Sequence, residues 1–153
     1  MISLRPYTVK DSAQLFETID QVCADTPWMS TRKFIPNPSW LHALESDDCH
    51  YHSLLVAESK NEVVGWCRSF PAACEPRPSD AEFGIGLLPQ YRNQGIGSEL
   101  VMRSLEWANM LGLKKVGLTV SLGNSIAIHV FENRGFEPVS VQGDRMIMSV
   151  CLS

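Results

Sequence analysis

No part of this sequence forms an apolar run long enough to cross a bilayer, and its first residues, MISLRPYTVKD, lack the apolar core of a secretion signal. Neither export nor a membrane partner is expected. No Lys/Arg run is long enough to track a phosphate backbone, and a formal charge of −4 argues against nucleic acid as the main partner. The five cysteines (Cys23, Cys49, Cys67, Cys74, Cys151) are odd in number and form no Cys-x-x-Cys pair. They read as reduced, mostly buried thiols of a cytoplasmic protein. No internal repeat or low-complexity segment occurs. With 44% hydrophobic and 20% charged residues over 153 positions, one globular domain is expected rather than a disordered chain.

What is present falls into alternating blocks. Ile2 to Arg5 reads as a strand, and Asp11 or Ser12 as the cap of a helix carrying Ala13, Leu15, Phe16, Ile19 and Val22. Residues 24 to 38 lose all periodicity around Pro27, Pro36 and Pro38, the kind of long irregular segment that is often functional. Ser39 is a candidate cap for a short helix through Ala43 and Leu44. His52 to Glu58 and Glu62 to Phe70 read as a hairpin turning at residues 59 to 61. Pro71 to Asp80, with three prolines, is a loop.

The stretch from Glu82 to Leu100, EFGIGLLPQYRNQGIGSEL, is the most informative. A short strand turns at Pro89, passes Arg92-Asn93-Gln94-Gly95-Ile96-Gly97, and enters a helix whose Ile96, Leu100, Val101, Ala108 and Leu111 share one face. Glu99, Arg103 and Glu106 fall on the other face, and Gly112 is placed to end the helix. The first amides of such a helix lack intrahelical acceptors and form an anion site, which glycines at 95 and 97 leave accessible. A dinucleotide fold would need a third glycine where this chain has Leu100, and a P-loop would need Lys before Ser or Thr, which Ser98-Glu99 does not supply. On the strand itself, Glu82, Gly84 and Gly86 share a face that reads as nearly bare, a shape that suits another chain or a ligand lying there. Lys115 to Val120 is a strand, apolar after Lys115. Asn124 caps a further helix ended by Gly135, before strands from Phe136 to Gln142 and Arg145 to Leu152.

The Arg92 to Gly97 loop resembles motif A of the GNAT superfamily, the acyl-CoA-dependent N-acyltransferases. The run from Asn124 through Ala127 and Phe131 to Gly135-Phe136 resembles its motif B, and the order of elements matches along essentially the whole chain. The resemblance implies an α/β fold: a mixed, mostly antiparallel sheet of about seven strands flanked by about four helices, in a single domain over 1–153. It implies acetyl transfer from acetyl-CoA to a primary amine of a small molecule or peptide. The pantetheine arm would lie along Ile85, Gly86 and Leu87, with the pyrophosphate near Arg92 and on the amides of Asn93, Gln94, Gly95, Ile96, Gly97 and Ser98. Asn124 and Phe131 would touch the cofactor. Homodimers are frequent in such families. A non-catalytic acyl-CoA-binding module of the same fold is the alternative.

The chemistry sets further expectations. An amine with a pKa of about 10.4 is protonated at neutral pH, so a base is needed. Glu82 is the candidate, because family members often use a carboxylate on this strand. A backbone N–H near Leu87 would hold the oxyanion, as the family implies. Where motif B usually has a proton-donating tyrosine this chain has Phe131, leaving Ser121 or solvent as donors. His129, about 200° around the helix from Phe131, cannot substitute. The acceptor is expected between the 24–38 segment and the 71–80 loop. Cys49-His50-x-His52 reads as no metal site for want of a further ligand, and Cys67 as a buried strand thiol. Trp28 and Trp40 are either core or acceptor-site wall. Arg32, Lys33 and Arg77 are solvated loop charges or carboxylate anchors.

Overall fold

A computed structural model describes the whole chain except Met1, Trp28, Ser30, Asp47, Asp48, His50, residues 72–77 and Ser153. The expectations for Trp28, His50, Cys74 and Arg77, and most of the 71–80 loop, lie outside the described residues. Seven strands, β1 (Ile2–Pro6), β2 (Ser53–Ser59), β3 (Glu62–Pro71), β4 (Asp80–Leu87), β5 (Lys115–Ser121), β6 (Glu137–Gln142) and β7 (Arg145–Cys151), form one sheet ordered β1-β2-β3-β4-β5-β7-β6. All neighbours are antiparallel except β4 and β5. Four helices, α1 (Ser12–Asp25), α2 (Pro38–Glu45), α3 (Ile96–Met110) and α4 (Ser125–Asn133), cover the two faces. This is the expected architecture.

The period-2 alternation of β3 sends its side chains into two cores. Trp66 and Phe70 join α1 and α2 residues such as Leu15, Ile19 and Trp40, whereas Cys67 joins Leu100, Val101 and Phe131 from α3 and α4. On α1, Leu15, Ile19 and Val22 are buried as their spacing requires, but Ala13 and Phe16 are exposed. Two caps differ from the sequence reading. Helix α2 is capped by Asn37, whose side chain accepts from Trp40 N–H at 2.9 Å, rather than by Ser39. Pro38 then occupies the first helical position, where a missing N–H costs nothing. Asp11 flanks α1 but does not cap it, because its carboxylate accepts from Thr8 N–H at 2.9 Å and pairs with Arg5. Strand β5 is largely buried after Lys115, apart from Thr119, which is exposed.

Arg5 bridges Asp11 at 2.8 Å and Glu58 at 2.6 Å, tying β1 to both the α1 entry and β2. Hydrogen bonding to Arg5 holds the Asp11 carboxyl below its ordinary value of 3.8. A carboxylate depressed by folding adds stability that is complete above its unfolded pKa and lost as pH falls through the folded one. Urea midpoints of the parent and Asp11→Asn should therefore differ by a constant gap at neutral pH that closes once the pH drops below about 3.8.

Candidate active site

Strands β4 and β5 pair over three positions only, from Asp80 opposite Lys115 to Glu82 opposite Gly117. Beyond Glu82 they diverge, while β4 stays paired with β3 to its end. Leu88 N–H bonds Val64 O on the β3 side at 2.9 Å. Backbone direction alternates along a strand, so the N–H and C=O groups of Ile85 and Leu87 point to the other edge, which β5 has left. The Leu87 carbonyl accepts from Arg92 Nε there at 3.0 Å. Gly86 is a correction to the sequence reading: by the same alternation its backbone groups belong to the ladder with Trp66, not to the open edge.

The turn after β4 is built by two residues in the left-handed region, Asn93 at φ 62° and Gly95 at φ 81°. Gly95 is the N-cap of α3 and makes no side-chain cap bond; the first helical bond runs from Glu99 N–H to Gly95 O at 3.1 Å. The amides of Ile96, Gly97 and Ser98 precede it and have no intrahelical acceptor. A Cβ on Gly95 would meet nothing within 4 Å, and one on Gly97 only Ile85 Cδ1 at 3.8 Å. Gln94 binds Gln90 O through Nε2 at 3.1 Å, so its side chain braces the turn.

Sequence reasoning missed Arg134. It donates to Ser98 Oγ from NH2 at 2.8 Å and from Nε at 3.2 Å, bringing a cation from the end of α4 to the start of α3. Its only local signal was its place just before Gly135. Asn124 caps α4 by accepting from Ala127 N–H at 3.3 Å, which commits its carbonyl and leaves its NH2. Phe131 is buried against Phe83 and Phe136, with ring centroids 6.0 and 5.8 Å away. His129 is exposed.

On the α1/α2 side of β4 the expected bare face is occupied. The ring of Trp66, directly across from Gly86, lies where a Cβ of that glycine would be, and Arg68 Nε is 2.8 Å from the Cβ position of Gly84. The glycines make room for two large cross-strand side chains rather than for a ligand. Arg68 spans this surface: it donates to Glu82 O at 3.4 Å and its guanidinium carbon stands 5.3 Å from the Phe70 ring centroid. Among the described residues it makes no ion pair. Burial pushes its pKa below the ordinary value, an effect that the neighbouring Glu82 carboxylate opposes. Glu82 itself is exposed.

A cavity of about 570 Å³ joins these parts. Arg68 and Glu82 line it together with Phe34 and Trp40 from the α2 side, and Asn124 and Phe131 from the α4 side. Met29, Thr31 and Ile35 also line it, so the irregular 24–38 segment is one of its walls. Ser121 is buried and reaches the same space. Cys67 faces the opposite core, hydrogen-bonded to Ser104 Oγ at 2.9 Å, and burial pushes its thiol up to about 12. It is no nucleophile at neutral pH.

Residues 16–136 match the Acetyltransferase (GNAT) family. The chain belongs to the GNAT family. It is 32% identical to the L-amino acid N-acetyltransferase of Escherichia coli over 127 residues, 80% of this chain and 76% of that one. It is 29% identical to the S-alkylcysteine N-acetyltransferase of Bacillus subtilis, over 85% and 75% of the two chains. A GNAT superfamily phosphinothricin acetyltransferase from Sinorhizobium meliloti, solved with acetyl-CoA, shares the fold: TM-score 0.83 at 16% identity, over 99% of this chain and 88% of that one. This GNAT protein is thus an N-acetyltransferase that uses acetyl-CoA, and the non-catalytic alternative is not favoured. No helix among the described residues is long and apolar enough to cross a membrane.

Proposed function

We propose that this GNAT enzyme acetylates the α-amine of a free amino acid in the cytoplasm, with Arg68 anchoring the carboxylate and Glu82 removing the ammonium proton. The observation that carries this reading is a half-buried guanidinium without an ion-pair partner among the described residues, sharing a cavity with a carboxylate. Partial burial already disfavours the charged form of Arg68, and an anion reaching it would offset that. A zwitterion would satisfy both groups at once. Two curated relatives are named for amino-acid acceptors, which fits the same chemistry.

Acetyl-CoA supplies the activated thioester. Its phosphates would rest on the amides from Asn93 to Ser98, with Arg92 and Arg134 nearby, and its arm would lie along the backbone of Ile85 and Leu87. Asn124 and the Phe131 ring would line the far side of that channel. Glu82, exposed at the cavity mouth, takes the proton. The amine nitrogen then forms the amide bond while the carbon–sulfur bond breaks, and the Leu87 N–H faces the place where negative charge develops on oxygen. Phe131 has no proton to give, and a thiol of pKa about 8.5 leaves without one. The free cysteines among the described residues suit a reducing compartment.

The test compares an amino acid with its carboxamide, which keeps the amine and loses the charge. Arg68→Met should lower kcat/KM for the amino acid about 10–150-fold, the equivalent of roughly 1.5–3 kcal/mol for hydrogen bonds to a charged group, and leave the carboxamide unchanged. Equal losses on both substrates would remove Arg68 from the acceptor site.

A further inference from the structure

We infer that the junction between α2 and β2 is a binding site for a Zn2+-class cation, formed by His42, Cys49 and His52 and separate from the transferase chemistry. His42 lies in the last turn of α2, Cys49 in the linker that follows, and His52 immediately before Ser53, where β2 begins. One ligand atom from each lies within 4.8 Å of the other two. Cys49 Sγ and His52 Nδ1 are 3.3 Å apart, and the two imidazole centroids are 4.6 Å apart.

A tetrahedral zinc ion with Zn–S of about 2.3 Å and Zn–N of about 2.0–2.1 Å sets its ligand atoms about 3.4–3.6 Å from each other. The Cys49–His52 pair, at 3.3 Å, lies within a few tenths of an ångström of that spacing. His42, on an exposed side chain, needs a rotamer adjustment of about 1 Å or so to complete it. The thiol–imidazole hydrogen bond and the contact between the two rings hold the group together without an ion; what points to a metal is that three ligating side chains converge within 4.8 Å.

The donor set selects the ion. Two imidazoles and a thiolate suit Zn2+, whereas Mg2+ and Ca2+ prefer oxygen. On ligation the Cys49 thiol releases its proton to solvent as the sulfur–metal bond forms. Cys49-His50-x-His52 offers no fourth ligand in sequence, and His50 lies outside the described residues. The structure joins Cys49 and His52 to a third donor, His42, from a helix ten positions before His52, and solvent would complete the tetrahedron.

The cluster is joined to the acceptor cavity by a chain of rings. His52 packs on Phe70 with centroids 5.2 Å apart, Phe70 meets Trp40 edge-on at 5.1 Å, and Trp40 lines the cavity from the same short helix that carries His42. An ion here would clamp the end of α2 to the start of β2 and fix that wall.

The experiment uses the full, tag-free chain, reduced and stripped with a chelator. Zn2+ titrated against a chromophoric chelator should bind at one ion per chain, micromolar or tighter. Co2+ in its place should give a thiolate-to-metal charge-transfer band with the intense visible bands of a tetrahedral site. Cys49→Ser should abolish the charge-transfer band, and His42→Gln should weaken Zn2+ binding at least about 10–100-fold. Both side chains are at least partly exposed, so metal-free melting temperatures should match the parent and certify the fold. Millimolar Zn2+ binding, an octahedral Co2+ spectrum without the thiolate band, or affinity unchanged in both variants would each overturn the site.

Discussion

Glu82→Gln lowers kcat/KM at neutral pH by about 10²–10⁴-fold, the span that a positioned general base contributes. Glutamine keeps the size and polarity of the side chain and cannot accept the proton. The defect should shrink as pH rises, because the acceptor then arrives increasingly as the neutral amine and needs no base. Affinity for CoA should not change, since Glu82 sits where β4 and β5 part and the amides proposed to hold the phosphates lie at the start of α3. Initial rates with the amine acceptor, taken between pH 6 and about 10, the range up to a free amine's own pKa, give the profile. A variant profile that runs parallel to the parent's would show that Glu82 is not the base.

Gly97→Val yields a protein that folds as before and no longer holds CoA. A Cβ at this position meets only Ile85 Cδ1, at ordinary van der Waals distance, so the protein has room for the first carbon of the side chain, and the melting curve reads whether the two methyls beyond it are accommodated. Valine costs less in a helix than glycine does. The added carbons project over the amides of the α3 start, where a phosphate must approach closely. Losing two or three charge-assisted bonds, about 3–4 kcal/mol in all, raises the CoA dissociation constant about 10²–10³-fold. Calorimetric titration with CoA beside a melting curve reads both outcomes. Intact binding would mean that the diphosphate rests elsewhere, and a matching loss of melting temperature would mean a structural fault. Gly95 is the poorer test, because its φ of 81° strains any side chain whether or not a ligand is present.

Local signals carried most of the fold. The Gly95 turn, the Asn124 cap, the Gly112 and Gly135 stops and the β2–β3 hairpin each depend on a few neighbouring residues, so the sequence displays them directly. What stayed hidden was set by residues far apart in the chain. Gly84 and Gly86 looked bare because nothing in their own strand shows that Arg68 and Trp66 lie across from them. Arg68 was overlooked for the same reason: in sequence it is one more charge on a strand, and only the pairing with β4 sets it beside Glu82. Arg134 reaches Ser98 across 36 positions. The α2 cap was misplaced by two residues because Asn37, Pro38 and Ser39 all suit a helix start, and the hydrogen bond to Trp40 decides among them.

The short pairing of β4 with β5 reaches beyond the shape of a cleft. Three rungs are a narrow seam for holding two half-sheets together, and past it each lip ends in main-chain groups that no neighbouring strand completes. If the cosubstrate arm lies in that gap as proposed, it would stand in for the missing strand, and docking would finish the weave and stiffen the seam in one event.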